Sequence, residues 1–298
     1  MKFSIVAPVY NNEPWFAKAI ESVLAQAGDF EIEYILQDGA STDNTVAIFE
    51  GYRARLERGE IPVHCSGITM KSFSEPDDGP FDAINKGFSH ATGDWYSWAD
   101  GDNTYEPGAF EALARTINSF PEIQWLNGTT NSMNDRWENT SRGPCHLYRQ
   151  DWLRLGIYGQ EAYFVSANGC FWGKELWEKV APIPTNYRIA GDYWLWIKMA
   201  IYAPMWSLDV PIGNFMRRKG QLHAQGGYKA EQWQTRPHRS LTAWGARLFF
   251  SPQSRLGSRL EFFFLWLYPR IFQRRWRPEY IDIVNGVPVK KKMRSYIA

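Results

Sequence analysis

Asp100 and Asp102 stand two residues apart at the end of an aromatic run, in WYSWADGDNTY, with Gly101 between them and Asn103 next. Carboxylates held that close repel each other and are best tolerated beside a cation or in plentiful water. Oxygen ligands of this kind suit a hard divalent ion that also carries phosphate oxygens. Gly101 would leave the backbone open to a close-approaching ligand. The same residues are also ordinary turn formers between a strand and a helix. Three more acids have settings that bear chemistry. Asp38 ends a strand-like run in YILQDGASTDNT, Asp82 leads a DAINKG stretch with Asn85 and Lys86, and Asp192 opens an apolar stretch in AGDYWLWIKMA. Each has a plain alternative. Asp82 and Lys86 at i,i+4 make a surface ion pair, and Asp192 suits the dipole of a helix first turn.

The elements that must position these groups can be read from periodicity. Phe3–Ala7 is a short buried strand ending at Pro8. Glu13–Gln26 places Phe16, Ile20, Val23 and Leu24 on one helical face, with Pro14 in the first turn. Glu33–Leu36 is a second strand, followed by a helix carrying Val46, Phe49 and Tyr52 that Ser41 or Thr42 can cap. Ile61–Cys65 is a third strand, Phe81–Ala91 a short helix, and Pro107–Phe120 an amphipathic one. This alternation predicts an α/β domain with a mostly parallel central sheet flanked by helices. In such sheets ligands bind beyond the carboxyl ends of strands, which would bring Asp38 and Asp100–Asn103 to one crevice. The first strand-to-helix turn lacks G-x-G-x-x-G, which argues against a dinucleotide oxidoreductase. Residues 121–189 show little periodicity. Short strands near Gln124–Leu126 and Cys170–Trp172 and a helix over Lys174–Val180 precede a helix over Gly191–Tyr202.

A net charge of +1 over 298 residues conceals a division. Residues 217–298 hold 17 Lys/Arg against 4 Asp/Glu, or +13, which leaves −12 for residues 1–216. A basic tail on an acidic body points to an anionic partner. Ser251-Pro252 opens a helix to Tyr268 with Leu256, Leu260, Phe263, Phe264 and Leu267 on one side. Its apolar run is too short to span a bilayer. A helix lying in the interface of an anionic membrane fits it, through residues 231–298, and a helical cap or dimer interface is the alternative. Nucleic acid is not expected, because the body is acidic and no nucleic-acid motif is present. Three scattered cysteines without C-x-x-C fit a reducing compartment better than a disulfide or zinc scaffold. The first residues read as a strand and not as a signal peptide, so the expected location is cytoplasmic, at the inner face of the cell membrane.

Four stretches in order, SIVAPVYNNEPWFAKAIESVLAQ, YILQDGASTDNT, DDGPFDAINKGFSHATGDWYSWADGDN and AGDYWLWIKMA, resemble the motifs of family 2 glycosyltransferases with the GT-A fold. The resemblance covers roughly residues 2–215. It implies a catalytic domain over 1–216, with a nucleotide-binding half (1–105) and an acceptor half (106–216), and a basic, aromatic helical extension over 217–298. It also implies inverting, metal-dependent transfer of a single sugar from a nucleotide-sugar, a UDP-sugar before others. The acceptor would be a hydroxyl of a glycan or lipid-linked molecule in surface-polysaccharide synthesis, and the cofactor Mn²⁺ or Mg²⁺.

Carried over by position, Pro8, Tyr10 and Asn11 sit where the first strand meets the nucleoside, and Asp38 matches the acid that reads the pyrimidine base. Asp82, Asn85 and Lys86 match the helix near the donor, with Lys86 able to neutralise phosphate. Asp100, Gly101 and Asp102 match the D-x-D signature, with Asp102 as direct metal ligand and Asp100 on the ribose or a metal-bound water. Asp192 matches the catalytic base. Gln37 and Asn103 depart from positions where acids are common, which loosens base recognition and lowers the negative charge of the metal site. His223 is a further candidate for metal or donor, and Arg217, Arg218 and Lys219 for phosphate. The Q-x-x-R-W pattern of processive synthases is absent after Gln232, which favours single transfer. The alternative function is a nucleotide-sugar-binding protein without transfer activity.

Overall fold

A computed structural model describes residues 1–159, 164–218, 221, 226–236 and 279–292, and among these one mixed sheet of eleven strands organises the chain. Its parallel half is β1 (Lys2–Val9), β2 (Ala27–Asp38), β3 (His64–Ser74) and β4 (Trp95–Trp98), in the order β3-β2-β1-β4. Helices α1 (Glu13–Leu24), α2 (Thr45–Glu57) and α3 (Pro80–Ser89) connect these strands. Beyond β4 follow β5 (Thr104–Tyr105), α4 (Ala109–Ser119), β6 (Trp125–Met133), β7 (Asn139–Ser141), α5 (Gln150–Arg154), β8 (Cys170–Gly173), α6 (Lys174–Glu178), α7 (Gly191–Tyr202) and β9 (Trp206–Met216). Strand β8 pairs antiparallel with both β4 and β6, so the sheet is mixed there. The strand order reverses between β1 and β4, and an α/β sheet opens a ligand crevice at such a switch point.

The period-2 pattern of β1 assigns the two faces. Phe3 and Ile5 join Phe16 of α1, Phe49 of α2 and Phe110 of α4 in one buried cluster. Val6 points the other way, into a cluster rich in tryptophan that includes Trp98, Trp125, Trp172 and Trp196. Helix α7 is apolar nearly all round because it is buried there, and its low amphipathicity follows. Glu33 of β2 ties the parallel strands together. Its carboxylate accepts from Ser4 Oγ (2.5 Å), Lys71 Nζ (2.6 Å), Thr92 N (2.7 Å) and Thr92 Oγ1 (2.8 Å). Burial would push this carboxyl up, but those hydrogen bonds outweigh it and hold it down at about 2.

Several elements differ from the sequence reading. The third strand starts at His64, not Ile61, and β6 runs on to Met133. Strand β9 had no counterpart in the sequence reading; its ladder with β6 shifts register on either side of Thr129, which breaks any period-2 alternation. In the basic extension, α8 (Tyr228–Thr235) is a helix, but β10 (Glu279–Val284) and β11 (Val287–Lys292) form a hairpin that continues the sheet beside β9. Asn285 and Gly286 both take positive φ (52° and 78°), the conformation a two-residue hairpin needs and the Asn-Gly pair supplies. Lys290 lies over the rings of Phe120 and Trp206 and pairs with Glu122, so that this basic residue is tied to the body. The Ser251–Tyr268 helix expected from the sequence lies outside the described residues. Among the described residues no helix is long and apolar enough to cross a membrane.

Candidate functional site

A cavity of about 930 Å³ opens at the β1/β4 switch point. Its walls include Pro8 near the end of β1, Tyr10 just after it, Asp100, Gly101 and Asp102 after β4, and Asp192 at the start of α7. Asp100 and Asp192 reach it on two elements that are locked together. Trp98, two residues before Asp100, stacks on Trp196 with ring centroids 5.8 Å apart and planes 5° apart. Trp196 lies one turn beyond Asp192 on α7 and also stacks on Trp125 at 5.9 Å. Gly191 lets the first turn of α7 lie against α3, since a Cβ there would fall 2.7 Å from the Phe81 ring.

The D-x-D turn is itself well braced. Asn103 donates through Nδ2 to Asp100 Oδ2 (3.3 Å) and to Asn168 Oδ1 (3.4 Å), and accepts from Met216 N (3.1 Å). A Cβ on Gly101 would fall 2.1 Å from Asn12 Nδ2 and 2.7 Å from Val9 Cγ1. Packing against the β1 end therefore favours glycine there, and Gly101 also lines the cavity, where the sequence reading looked to ligand approach. Asp102 is buried, and its Oδ2 accepts from Arg218 Nε (2.8 Å) and Gln221 Nε2 (3.1 Å). Arg218 also sits over the Trp15 ring at 5.5 Å, a cation–π contact that holds it above the site.

Enclosure in the cavity wall, then the neighbouring carboxylates of Asp102 and Asp192, push the Asp100 carboxyl up to about 7, while Arg218 acts in the opposite sense. Asp100 is open to cavity solvent, which screens this repulsion without reversing it. A cation beside Asp100 would relieve it. Hard carboxylate oxygens suit Mg²⁺ or Mn²⁺. Among the described residues no group of three His, Cys, Asp or Glu is available to hold a metal. An ion there would complete its shell from substrate phosphate and water, which is how such ions are commonly held. On those terms the residues could take a metal, and Asp102 and Asp100 are the carboxylates that would hold it.

Asp192 is half-buried, and its Oδ1 accepts from Tyr228 Oη (2.7 Å) and from the Tyr193 backbone N–H (2.7 Å). Burial raises its carboxyl to about 7, against the lowering effect of those hydrogen bonds and with Glu231 adding to the rise. The sign follows for stability. A carboxyl whose folded value lies above its unfolded one contributes stability that is full below about 4 and lost as pH rises through about 7. Asp192→Asn keeps the shape and can still accept from Tyr228. It is expected to melt higher than the parent at pH 8, by on the order of 1–2 kcal/mol after solvent screening, and level with it at pH 4. Melts in which the gap does not change with pH would contradict the burial of this charge.

Other expected site residues lie elsewhere. Asp38 is fully buried and does not line the cavity. Its carboxylate is taken by Ser41 N (2.9 Å), Ser74 Oγ (2.6 Å) and Ser41 Oγ, so it shapes the β2–α2 turn. Asn11, at φ 50°, accepts from Thr42 N (2.8 Å) and laces the same turn to the end of β1. Asp82 and Lys86 form the i,i+4 ion pair (3.1 Å), and Lys86 Nζ also donates to Pro76 O (2.8 Å). The Asn85 amide clasps Ile183 N and O (2.9 and 2.7 Å). From α3 it is Pro80, Phe81 and Ile84 that line the cavity. Of the basic candidates, Arg217 and Arg218 line it; Lys219 and His223 lie outside the described residues. Gln221 and Tyr228 are cavity residues that sequence reasoning missed, because nothing in their local pattern marks them.

Residues 4–172 match the sequence model of the family described as glycosyl transferase family 2. An uncharacterized glycosyltransferase of Nostoc sp. is 24% identical over 64% of this chain and 57% of its own length. A PGL/p-HBAD biosynthesis glycosyltransferase of Mycobacterium tuberculosis is 25% identical over 64% of this chain and 66% of its own. The chain thus spans less than two thirds of these curated relatives. Among solved structures, S. aureus TarS in complex with UDP-GlcNAc superposes with a TM-score of 0.59 at 16% identity, over 84% of this chain and 71% of that one. A mannosyltransferase from Pyrobaculum calidifontis, in complex with GDP-Man and Mn²⁺, gives 0.53 at 18% identity, over 83% and 67%. At these identities the likeness is one of fold, and the fold is GT-A: a mixed, largely parallel sheet flanked by helices.

Proposed function

This chain belongs to glycosyl transferase family 2, and from that membership we propose that it moves a single sugar, with inversion, from a nucleotide-sugar to a hydroxyl of a glycan or lipid-linked acceptor. The observation that carries the reading is the meeting of Asp100, Asp102 and Asp192 on one cavity, held by the Trp98–Trp196 stack. Pro8 and Tyr10 offer the nucleoside wall, with Tyr10 63% exposed and so free to cover a base. Asp102 and Asp100 would hold Mg²⁺ or Mn²⁺ with the donor diphosphate. Such an ion, when bound, offsets the negative charge that grows on the leaving diphosphate.

Asp192 acts on the acceptor. A hydroxyl is a poor nucleophile until a carboxylate takes its proton. The acceptor oxygen forms its bond to the anomeric carbon as the proton passes to Asp192. The bond from that carbon to the diphosphate oxygen breaks, and its electron pair leaves with the nucleoside diphosphate. Arg217 and Arg218 place guanidinium charge on the diphosphate side, where planar donors match phosphate oxygens.

A UDP-sugar is favoured as donor. The TarS complex with UDP-GlcNAc supports this, and the mannosyltransferase complex with GDP-Man makes GDP-sugars the natural comparison. The mycobacterial relative, a biosynthesis glycosyltransferase, supports a glycan acceptor in surface-polysaccharide synthesis, and the basic tail is what favours a lipid-linked one. Membrane contact by residues 231–298 remains part of the reading, carried by the charge of the tail. A thermal-shift screen of UDP-, GDP- and dTDP-sugars with Mn²⁺ tests the donor. The largest stabilisation is expected from a UDP-sugar, since ligands that bind only the folded chain raise its melting point. No shift from any nucleotide-sugar would contradict the reading.

A further inference from the structure

Helix α8 belongs by sequence to the basic extension, yet one of its faces is joined to the loop and helix that carry Asp192. Tyr228, Glu231 and Thr235 are spaced i, i+3 and i+7, so they share that face. Thr235 Oγ1 donates to Tyr187 Oη (2.8 Å). The Glu231 carboxylate accepts three successive backbone N–H groups, from Arg188 (3.1 Å), Ile189 (3.0 Å) and Ala190 (2.9 Å), which lead into the N-terminus of α7. Tyr228 Oη donates to Asp192 Oδ1 (2.7 Å), with its ring held edge-on by Phe164 at 5.4 Å.

This arrangement divides the two oxygens of Asp192. Oδ1 is held from both sides, by the phenol and by the Tyr193 N–H. Among the described residues Oδ2 has no hydrogen-bond donor, and the side chain lines the cavity. A carboxylate on one short side chain can turn about its own axis. Fixing one oxygen leaves the other aimed, and alignment before reaction can be worth orders of magnitude in rate.

We propose that Tyr228 is a positioning residue for transfer: its phenol fixes Asp192 so that Oδ2 faces the acceptor hydroxyl, which makes α8 part of the active site. The proposal rests on Asp192 as the base. It extends the catalytic unit past residue 216 to include α8, and it gives Glu231 the task of holding α8 and α7 in register.

The test uses the full chain, Mn²⁺, and whichever of UDP-glucose, UDP-galactose or UDP-GlcNAc gives nucleotide release, with water as acceptor. Tyr228→Phe keeps the ring against Phe164 and removes only the hydroxyl. Its kcat is expected to fall about tenfold or more, with donor KM and UDP affinity unchanged. In an Asp192→Asn background the same change should cost nothing further, because Tyr228 acts through that carboxylate. Wild-type kcat in Tyr228→Phe, or an additive loss in the double variant, overturns the proposal. Should Asp192→Asn alone keep the parent rate, the base assignment fails instead, which separates the two outcomes. Glu231→Gln, which keeps an acceptor oxygen, should lower kcat less than Tyr228→Phe does; an equal fall with an equal loss of melting temperature would mark α8 as merely structural.

Discussion

Asp192→Asn should abolish most transfer, lowering kcat by about 10²–10⁴-fold, while the affinity for UDP with Mn²⁺ stays at the parent value. The size follows from chemistry. Asparagine fills the same space and can accept from Tyr228, but it cannot take a proton. The binding wall is untouched, because Pro8, Tyr10 and the D-x-D turn reach the cavity on β1 and β4, whereas Asp192 comes in on α7. Titration calorimetry beside a nucleotide-release assay separates the two effects. An equal loss of nucleotide affinity would remove Asp192 from the role of base and place it among the donor contacts.

Asp102→Ala should abolish the metal dependence of nucleotide binding. A metal contact worth several kcal/mol corresponds to about 10²–10³-fold in affinity. The structure adds a condition to this. Arg218 and Gln221 already donate to Asp102, so the carboxylate carries a protein cation that a metal and its diphosphate must displace or share. Removing the carboxylate frees Arg218 to meet phosphate directly. Weak, metal-independent UDP binding should therefore survive in Asp102→Ala. Titrations of the variant with and without Mn²⁺ check both halves, and an unchanged response to Mn²⁺ would refute the ligand role of Asp102.

Much of this site was legible in the sequence, and the rest was hidden for identifiable physical reasons. The alternation of short apolar runs with amphipathic helices was enough for the α/β class, because a parallel sheet buries its strands on both faces. Asp100, Asp102 and Asp192 were visible as carboxylates at element ends. Local pattern, however, does not show where a side chain spends its hydrogen bonds. Asp38 follows a strand just as Asp100 does, yet two serines and one backbone N–H close it off from the cavity. Asp82 and Lys86 satisfy each other along one helix face. The residues found only in three dimensions, Gln221 and Tyr228, reach the site from a segment whose charge drew attention to membranes. Contacts more than a hundred residues long in sequence, such as Arg218 to Asp102, leave no periodic trace. The hairpin at Asn285-Gly286 does carry a local mark, since that dipeptide between apolar runs is a strong short-range turn signal.

The most direct measurement of whether this cavity transfers sugar is release of UDP from UDP-glucose, UDP-galactose and UDP-GlcNAc by the purified chain with Mn²⁺, run beside Asp192→Asn. Release from at least one donor, lost in the variant, is the expected result. A chain that binds these donors but releases no UDP from any of them, or releases it equally well without the Asp192 carboxylate, would contradict a transferase built on Asp102 and Asp192.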